Sequence, residues 1–233
     1  MAKYKPKSAA VHTIYKNAAG KRLPGVTTIT GQIGKPFLVK WAANLVKDGT
    51  DYDAYMDEVK KIGTATHEII LAGLEGRPPE VDSFSPEQLK WARGAAEKTL
   101  DWATDPAVDL KLISSEVPLV SEKYQVGGTL DLYCTLNWQG KNVKAVIDFK
   151  TSDSGLYMEN FVQSRAYTEF AIENGMEAEF FGCVRAPKDT SQSMEIKLFP
   201  VESDAGTRSM RMFKGLVNQY TAIRDLKKVL EVR

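Results

Sequence analysis

A change in hydrophobic spacing near residue 110 constrains the fold of this chain more than any other sequence feature. Before this point apolar residues recur at helical spacing, and after it they alternate. The alternation predicts three consecutive strands joined by tight turns, at Leu110–Val120, Gln125–Trp138 and Val143–Thr151. There follow a predicted helix at Tyr157–Asn174, two more strands at Glu179–Arg185 and Met194–Val201, and a closing helix from about Gly206 to Val229. This order predicts an α+β domain with a helical front.

The first hundred residues supply that helical front. Residues 10–30 are predicted to form short extended pieces around a turn at 17–20, with Thr27–Thr30 as the last of them. Pro36 is suited to begin a helix, and residues 52–61 predict a second, more polar one. Gly63 is expected to interrupt it, with Thr64 capping a new helix that runs to about Glu75. A capping box at 85–88 begins the next helix.

Composition is that of an ordinary globular protein of 233 residues, for which one domain is the first expectation. We find neither a run of about 20 apolar residues for a membrane helix nor an apolar segment after Met1–Ser8 for a secretory signal. Two cysteines, Cys134 and Cys183, are too few for a disulfide framework, a four-cysteine zinc site or a cysteine-ligated iron–sulfur cluster. A reducing cytoplasm is therefore the expected location.

The net charge of +1 conceals a strong asymmetry along the chain. Residues 1–47 hold nine basic side chains and no acidic one, whereas residues 48–184 hold 12 basic and 24 acidic side chains. An acid-free basic segment before an acidic one is typical of nucleic-acid binding. A solvated terminal surface explains the charge equally well, so the positions of the acidic residues have to decide.

The hairpin between the second and third predicted strands concentrates acidic residues. If Gln139-Gly140 forms a two-residue turn, Asp131 falls opposite Asp148. Asp148 and Lys150 lie two residues apart and therefore share a face of the sheet. Two opposed carboxylates repel unless a cation lies between them, and Mg²⁺ or Mn²⁺ suits such oxygen ligands. The alternative is a structural ion pair between an acid and Lys150 at the end of the sheet.

Four further residues are candidates for the same site. His67 lies on the apolar face of its predicted helix and is either a third ligand or a core histidine. Glu116, in the preceding strand, could reach the same face or be an ordinary exposed residue. Gln163 and Tyr167 lie one above the other on the following helix, where a core role is the more typical fate of Tyr167.

These residues belong to a series of motifs that occurs in a fixed order. The motifs are Gly63-Thr-Ala-Thr-His67, Glu116, Gly128-Thr-Leu-Asp131, Asp148-Phe-Lys150 and Gln163-Ser-Arg-Ala-Tyr167. Together they resemble the RecB-like exonuclease branch of the PD-(D/E)XK nuclease superfamily. The segment from Leu23 to Trp41 is similar to the opening of phage and mitochondrial exonucleases of that kind. The resemblance implies a restriction-endonuclease-like α/β/α core with a mixed central β-sheet flanked by helices. It also implies a basic N-terminal elaboration over 1–62, a catalytic core over 63–201 and a C-terminal helix over 202–233.

The resemblance also implies a role for each candidate residue. His67, Asp131, Asp148 and the Phe149 carbonyl would ligate Mg²⁺ or Mn²⁺. Lys150 would help activate the attacking water, Glu116 would lie near that water or a second metal, and Gln163 and Tyr167 would orient the site or contact DNA. The basic segment suggests further DNA contacts from Lys35, Lys40, Trp41 and Lys47. We expect the three lysines to have no acidic partners nearby. With two cysteines the chain resembles the relatives that lack an iron–sulfur cluster.

The function implied is a metal-dependent DNA exonuclease acting from single-stranded ends, in the cytoplasm of a bacterium or a phage-infected cell. An endonuclease with the same core and a non-catalytic nucleic-acid-binding module are the alternatives. A binding module has no use for opposed carboxylates that face phosphate, which argues against the last of these. Motifs of serine hydrolases, of phosphate-binding loops and of dinucleotide-binding enzymes are absent from the sequence.

Overall fold

A computed structural model describes residues 13–231 and confirms an α+β fold with a mixed central sheet flanked by helices. Its helices are α1 (Val26–Thr30), α2 (Pro36–Lys47), α3 (Tyr52–Glu75), α4 (Pro86–Thr104), α5 (Met158–Glu173) and α6 (Asp204–Leu230). Its strands are β1 (Lys111–Ser121), β2 (Val126–Trp138), β3 (Lys141–Lys150), β4 (Phe180–Arg185) and β5 (Glu195–Pro200). The strands therefore form where alternating hydrophobicity predicts them, within a few residues at each end.

The five strands lie in the sheet in sequence order. All neighbouring strands are antiparallel except β3 and β4, which are parallel because α5 connects them as a crossover. One face of the sheet packs against α3 and α4, around Ile70, Leu132 and Phe149. The other face packs against α1, α5 and α6, around Phe170 and Phe213. The result is a three-layer arrangement in which β2 and β3 lie at the centre.

The helix over 52–75 is continuous, and the prediction that Gly63 would divide it is wrong. Asp51 caps the helix, since its carboxylate accepts a hydrogen bond from the Ala54 amide at 3.0 Å. Thr64 begins no new helix but lies inside α3, where its hydroxyl donates a hydrogen bond to the Lys60 carbonyl. Gly63 instead lets α3 pass close to the end of β3, where an added Cβ would lie 3.3 Å from Thr151 Oγ1.

The N-terminal region is partly as predicted. The turn after Asn17 forms, with Gly20 at a φ of +76° and a bridge between Lys16 and Arg22. The segment Val26–Thr30 is a short helix and not an extended piece, because Val26 and Ile29 both face the core, as helical spacing requires.

Two parts of the predicted organisation fall outside the described residues. These are the first twelve residues of the N-terminal elaboration and the last two of the C-terminal helical segment. In the part of the chain that the structure describes, no helix is both long enough and apolar enough to cross a membrane.

Candidate metal centre

The hairpin between β2 and β3 has the predicted register. Trp138 pairs with Lys141 across a turn in which Gln139 and Gly140 both have positive φ, at 52° and 78°. The same register runs to the pair Leu132 and Ile147, so the next positions along the two strands are Asp131 and Asp148. The predicted hairpin register is therefore confirmed, and it places the two carboxylates on adjacent strands, each one residue beyond the pair Leu132 and Ile147.

Glu116 extends this row of acidic residues to a third strand. In β1, Ser115 pairs with Leu132 and Val117 pairs with Leu130, which brings Glu116 opposite Asp131. Glu116 has a φ of 48°, a conformation that is rare for a side-chain-bearing residue and unusual inside a strand. Leu130 packs on the α5 side of the sheet and Leu132 on the α3 side, although residues two apart in a regular strand share a face. The strands are therefore distorted at the level of Glu116 and Asp131.

His67 completes a group of three potential metal ligands. One nitrogen of His67 and one carboxylate oxygen each from Glu116 and Asp131 all lie within 4.8 Å of one another. His67 Nε2 lies 3.1 Å from the Phe149 carbonyl oxygen, and Nδ1 lies 3.6 Å from Asp131 Oδ2. In the tautomer in which Nε2 donates to that carbonyl, the Nδ1 lone pair faces a carboxylate oxygen. Two electron-pair donors facing each other favour a cation between them.

The charge states of these groups suit cation binding. Burial, together with the nearby Lys150 ammonium, lowers the pKa of His67 to about 4, so its ring is neutral at pH 7. Burial and the charge of Asp131 raise the pKa of Glu116 to about 7. Burial also raises the pKa of Asp131, although Lys150 and the Phe149 amide oppose the rise. Carboxylates held this close resist ionisation, and a bound cation would relieve that resistance.

Asp148 lies beside this group but has other partners. Its Oδ2 lies 2.5 Å from Lys150 Nζ, and its Oδ1 accepts a hydrogen bond from Gln163 Nε2 at 3.1 Å. Burial, reinforced by Asp131, raises the pKa of Asp148 to about 6, while Lys150 acts in the opposite direction. The ion pair that we considered as the structural alternative therefore forms, and Asp148 is not among the three clustered ligands.

Lys150 remains a cation in this buried position. Burial alone would lower its pKa, but Asp148 and Asp131 outweigh burial and raise it. The ammonium group also lies close enough to His67 to influence its charge, so it belongs to both groups of residues. Its position combines a fixed positive charge with a cluster of potential metal ligands.

Gln163 and Tyr167 lie on α5, on the side of the sheet from which Gln163 contacts Asp148. Gln163 Nε2 donates to the Tyr167 hydroxyl at 3.1 Å as well as to Asp148, so the three side chains are linked. Tyr167 is buried, as a core role predicts, and its ring packs against Gly128. A Cβ at position 128 would lie 2.4 Å from Tyr167 Cε1, which explains why this motif begins with glycine.

The residues present fit a hard divalent cation. The donor set consists of carboxylates, one carbonyl oxygen and one imidazole, which is the chemistry that Mg²⁺ and Mn²⁺ accept. Asp131 is also fixed in direction, because its Oδ2 accepts a hydrogen bond from the Phe149 amide at 2.8 Å. His67, Glu116 and Asp131 would hold the cation, with the Phe149 carbonyl and Asp148 next to it.

Sequence analysis missed a charged network beside this centre. Arg77, just after α3, bonds to both Glu68 and Glu75, and Glu75 in turn accepts a hydrogen bond from Ser115. The one signal in the sequence was the seven-residue spacing of Glu68 and Glu75, which puts both on one face of α3. Nothing in the sequence indicated that Arg77 would turn back towards them.

The candidate DNA contacts in and before α2 differ in their surroundings. Lys40 and Lys47 are exposed, and Trp41 packs edge to face against the rings of Tyr52 and Tyr55. Lys35 forms an ion pair of 2.5 Å with Glu159 at the start of α5. The expectation that Lys35 has no nearby acid is therefore wrong, because folding brings α5 next to the beginning of α2.

The fold and these side chains together define an α/β/α protein with a candidate divalent-metal centre in its sheet. No protein-family profile matches the sequence, and no curated protein matches it. A solved structure of a protein from Eubacterium rectale, provisionally assigned as an exonuclease, is similar in fold. The two chains are 16% identical, with a TM-score of 0.45, and the similarity covers 74% of this chain and 68% of the other.

Proposed function

We propose that this protein is a metal-dependent nuclease that hydrolyses DNA phosphodiester bonds, acting as an exonuclease from single-stranded ends. One observation carries the proposal. Potential ligand atoms of His67, Glu116 and Asp131 lie within 4.8 Å of one another, next to the buried ammonium group of Lys150. Cleavage of an anionic diester needs both an activated water molecule and stabilisation of additional negative charge. His67, Glu116 and Asp131 would hold a divalent cation, which would supply Lewis acidity for both purposes.

The protein's own residues hold and orient the reacting groups. Asp131 keeps its direction through the Phe149 amide, and neutral His67 offers a lone pair at physiological pH. Lys150 provides a positive charge that stabilises the charge developing on the phosphate. Gln163 fixes one oxygen of Asp148 and leaves the other to Lys150, so that the ammonium has a defined position.

Recognition of DNA requires attraction from outside this acidic centre. We assign it to α2, where Lys40 and Lys47 are exposed, and to a lesser degree to the preceding Lys35, which is paired with Glu159. Phe37, half exposed, stacks on Tyr157 at the start of α5, the helix that carries Gln163. The position of α2 beside this helix supports a path on which a single strand passes Trp41 and reaches the metal centre.

The test is digestion of labelled DNA of defined topology in Mg²⁺, Mn²⁺ or EDTA. Linear single strands labelled at either end should be degraded with metal and remain intact in EDTA, whereas circular single strands should persist. Rapid cleavage of circles would contradict the need for an end and indicate an endonuclease. Binding of every DNA without cleavage of any would contradict the nuclease itself and indicate a binding module.

A further inference from the structure

A network of ion pairs at the end of α3 lies next to the candidate metal centre. Arg77 Nη1 and Nη2 donate to the two carboxylate oxygens of Glu68 at 2.6 and 3.1 Å, and Arg77 Nε donates to Glu75. Glu68 also accepts a hydrogen bond from the Glu80 amide at 2.7 Å. One guanidinium therefore fixes two glutamates, and each of the three side chains is largely shielded from solvent.

This network reaches β1 at the residue that precedes Glu116. The Ser115 hydroxyl donates to the Glu75 carboxylate, which connects the end of α3 to β1. His67 lies two turns earlier on α3, so the same helix carries a ligand and the partner of Ser115. The separation of His67 from Glu116 consequently depends on how β1 is held against α3.

Glu116 needs such support because its backbone conformation is unfavourable. Its φ of 48° belongs to the left-handed region, which is unfavourable for a residue with a side chain. Such a conformation persists only where its surroundings over-determine it. On one side Val117 is held by pairing with Leu130, and on the other Ser115 is held by pairing with Leu132 and by Glu75.

We propose that Glu75, fixed by Arg77, is a positioning residue that acts through Ser115 to hold the Glu116 carboxylate at binding distance from His67 and Asp131. This inference rests on the proposed function, because it concerns a ligand of the proposed metal centre. Glu75 does not itself bind the cation in this scheme, since its carboxylate is occupied by Arg77 and Ser115. Outer-shell hydrogen bonds of this kind commonly change metal affinity by about 10–100-fold.

The experiment is calorimetric titration of the full-length protein with Mn²⁺, accompanied by thermal unfolding in EDTA. Ser115→Ala should weaken Mn²⁺ binding about 10-fold, and Ser115→Thr, which restores the hydroxyl, should return it to the wild-type value. Ser114→Ala is the matched control, because the buried Ser114 hydroxyl has no hydrogen-bond partner among residues 13–231. Glu75→Ala should weaken binding as Ser115→Ala does, and the double variant should be no weaker than Glu75→Ala alone, since one pathway is removed.

A loss of thermal stability in Ser115→Ala without any change in Mn²⁺ affinity would overturn the inference and leave Ser115 a purely structural role. Additive losses in the double variant would also overturn it. If the wild-type protein itself binds no Mn²⁺, the metal centre fails and this inference fails with it. If the wild type binds Mn²⁺ and Ser115→Ala binds it equally well, the positioning role is contradicted but the proposed metal centre is not.

Discussion

At the scale of single residues, Glu116 combines two unfavourable features. It combines a left-handed backbone with a carboxylate that faces Asp131, and neither feature contributes to folding stability. Residues of this kind are retained where the strained geometry serves a site. We therefore interpret Glu116 as a ligand whose cost in stability is offset when a cation binds.

That interpretation predicts opposite effects of one substitution with and without metal. At pH 8, above the raised pKa of about 7, Glu116 is charged, so Glu116→Gln should raise the Tm of the metal-free protein by removing repulsion. Each kcal/mol corresponds to about 2–4 °C in a chain of this size. The same variant should lose most of the Tm increase that Mn²⁺ gives the wild type. Thermal unfolding in EDTA and in Mn²⁺ measures both effects, and an equal Mn²⁺ increase in variant and wild type would contradict the assignment.

The role of the Lys150 charge in DNA cleavage can be tested separately from its role in folding stability. Lys150→Ala should still bind Mn²⁺, because an ammonium group is not a ligand, yet should cleave DNA at least ~100-fold more slowly. Lys144→Ala is the matched control, since Lys144 lies on the same strand and pairs with Glu177 away from the centre. Single-turnover rates with calorimetric Mn²⁺ binding provide the measurement. A Lys150→Ala protein that is less stable but equally active would make the lysine a structural partner only.

At the scale of elements, the close packing of α5 on β2 determines where Gln163 lies. Tyr167 lies over Gly128, and an added methyl group there would approach the ring to 2.4 Å. Because Tyr167 is linked to Gln163, any displacement of the ring also moves the partner of Asp148.

Gly128→Ala should therefore lower the free energy of unfolding by about 1–3 kcal/mol, the usual cost of overpacking. The matched control is Gly215→Ala in α6, where an added Cβ would meet no described atom within 4 Å apart from its chain neighbours and the surrounding helix backbone. That change should stabilise the protein by up to about 1 kcal/mol, because alanine favours the helix more than glycine does. Denaturant unfolding compares the two variants, and a Gly128→Ala protein as stable as the wild type would show that α5 is not so closely fitted.

Local sequence patterns predicted the elements well where one face of each is buried. Alternation located the strands, and the Gln139-Gly140 turn fixed the register that aligns Asp131 with Asp148. The distortion at Glu116 could not be predicted, because no local preference encodes the contact that the neighbouring Ser115 makes with distant α3. The same limit explains Gly63, which signals a break by its intrinsic propensity but is accommodated in α3 through packing.

At the scale of the whole molecule, the sequence asymmetry between a basic segment and an acidic one becomes a spatial arrangement. Three acidic residues of the middle segment, Glu116, Asp131 and Asp148, lie together at the sheet centre, whereas Lys40 and Lys47 of α2 are exposed at the surface. Sequence analysis predicted the segments but not the ion pair of Lys35 with Glu159, which folding creates. The electrostatic contribution of α2 should consequently come mainly from Lys40 and Lys47.

Changing Lys40 and Lys47 together to alanine should weaken single-strand binding and reduce the slope of its salt dependence by about 0.7 for each phosphate that is no longer neutralised. Mn²⁺ binding should be unaffected, because neither lysine lies among the ligands. The control is the pair Lys141→Ala and Lys144→Ala at the start of β3, which removes equal charge at a distance from Lys150. Fluorescence anisotropy over a range of salt concentrations provides the measurement. Equal losses in both double variants would indicate that net charge, and not α2, attracts DNA.

The most direct test of the whole account is cleavage of an end-labelled single-stranded DNA by the wild type and by Asp131→Asn, each with Mn²⁺ and with EDTA. Asparagine keeps the size of Asp131 but removes the charge that faces His67 and Glu116. We predict degradation only by the wild type with Mn²⁺, and a folded, inactive Asp131→Asn protein under both conditions. Wild-type cleavage in EDTA, or cleavage by Asp131→Asn at the wild-type rate, would contradict a nuclease whose cation is held at this centre.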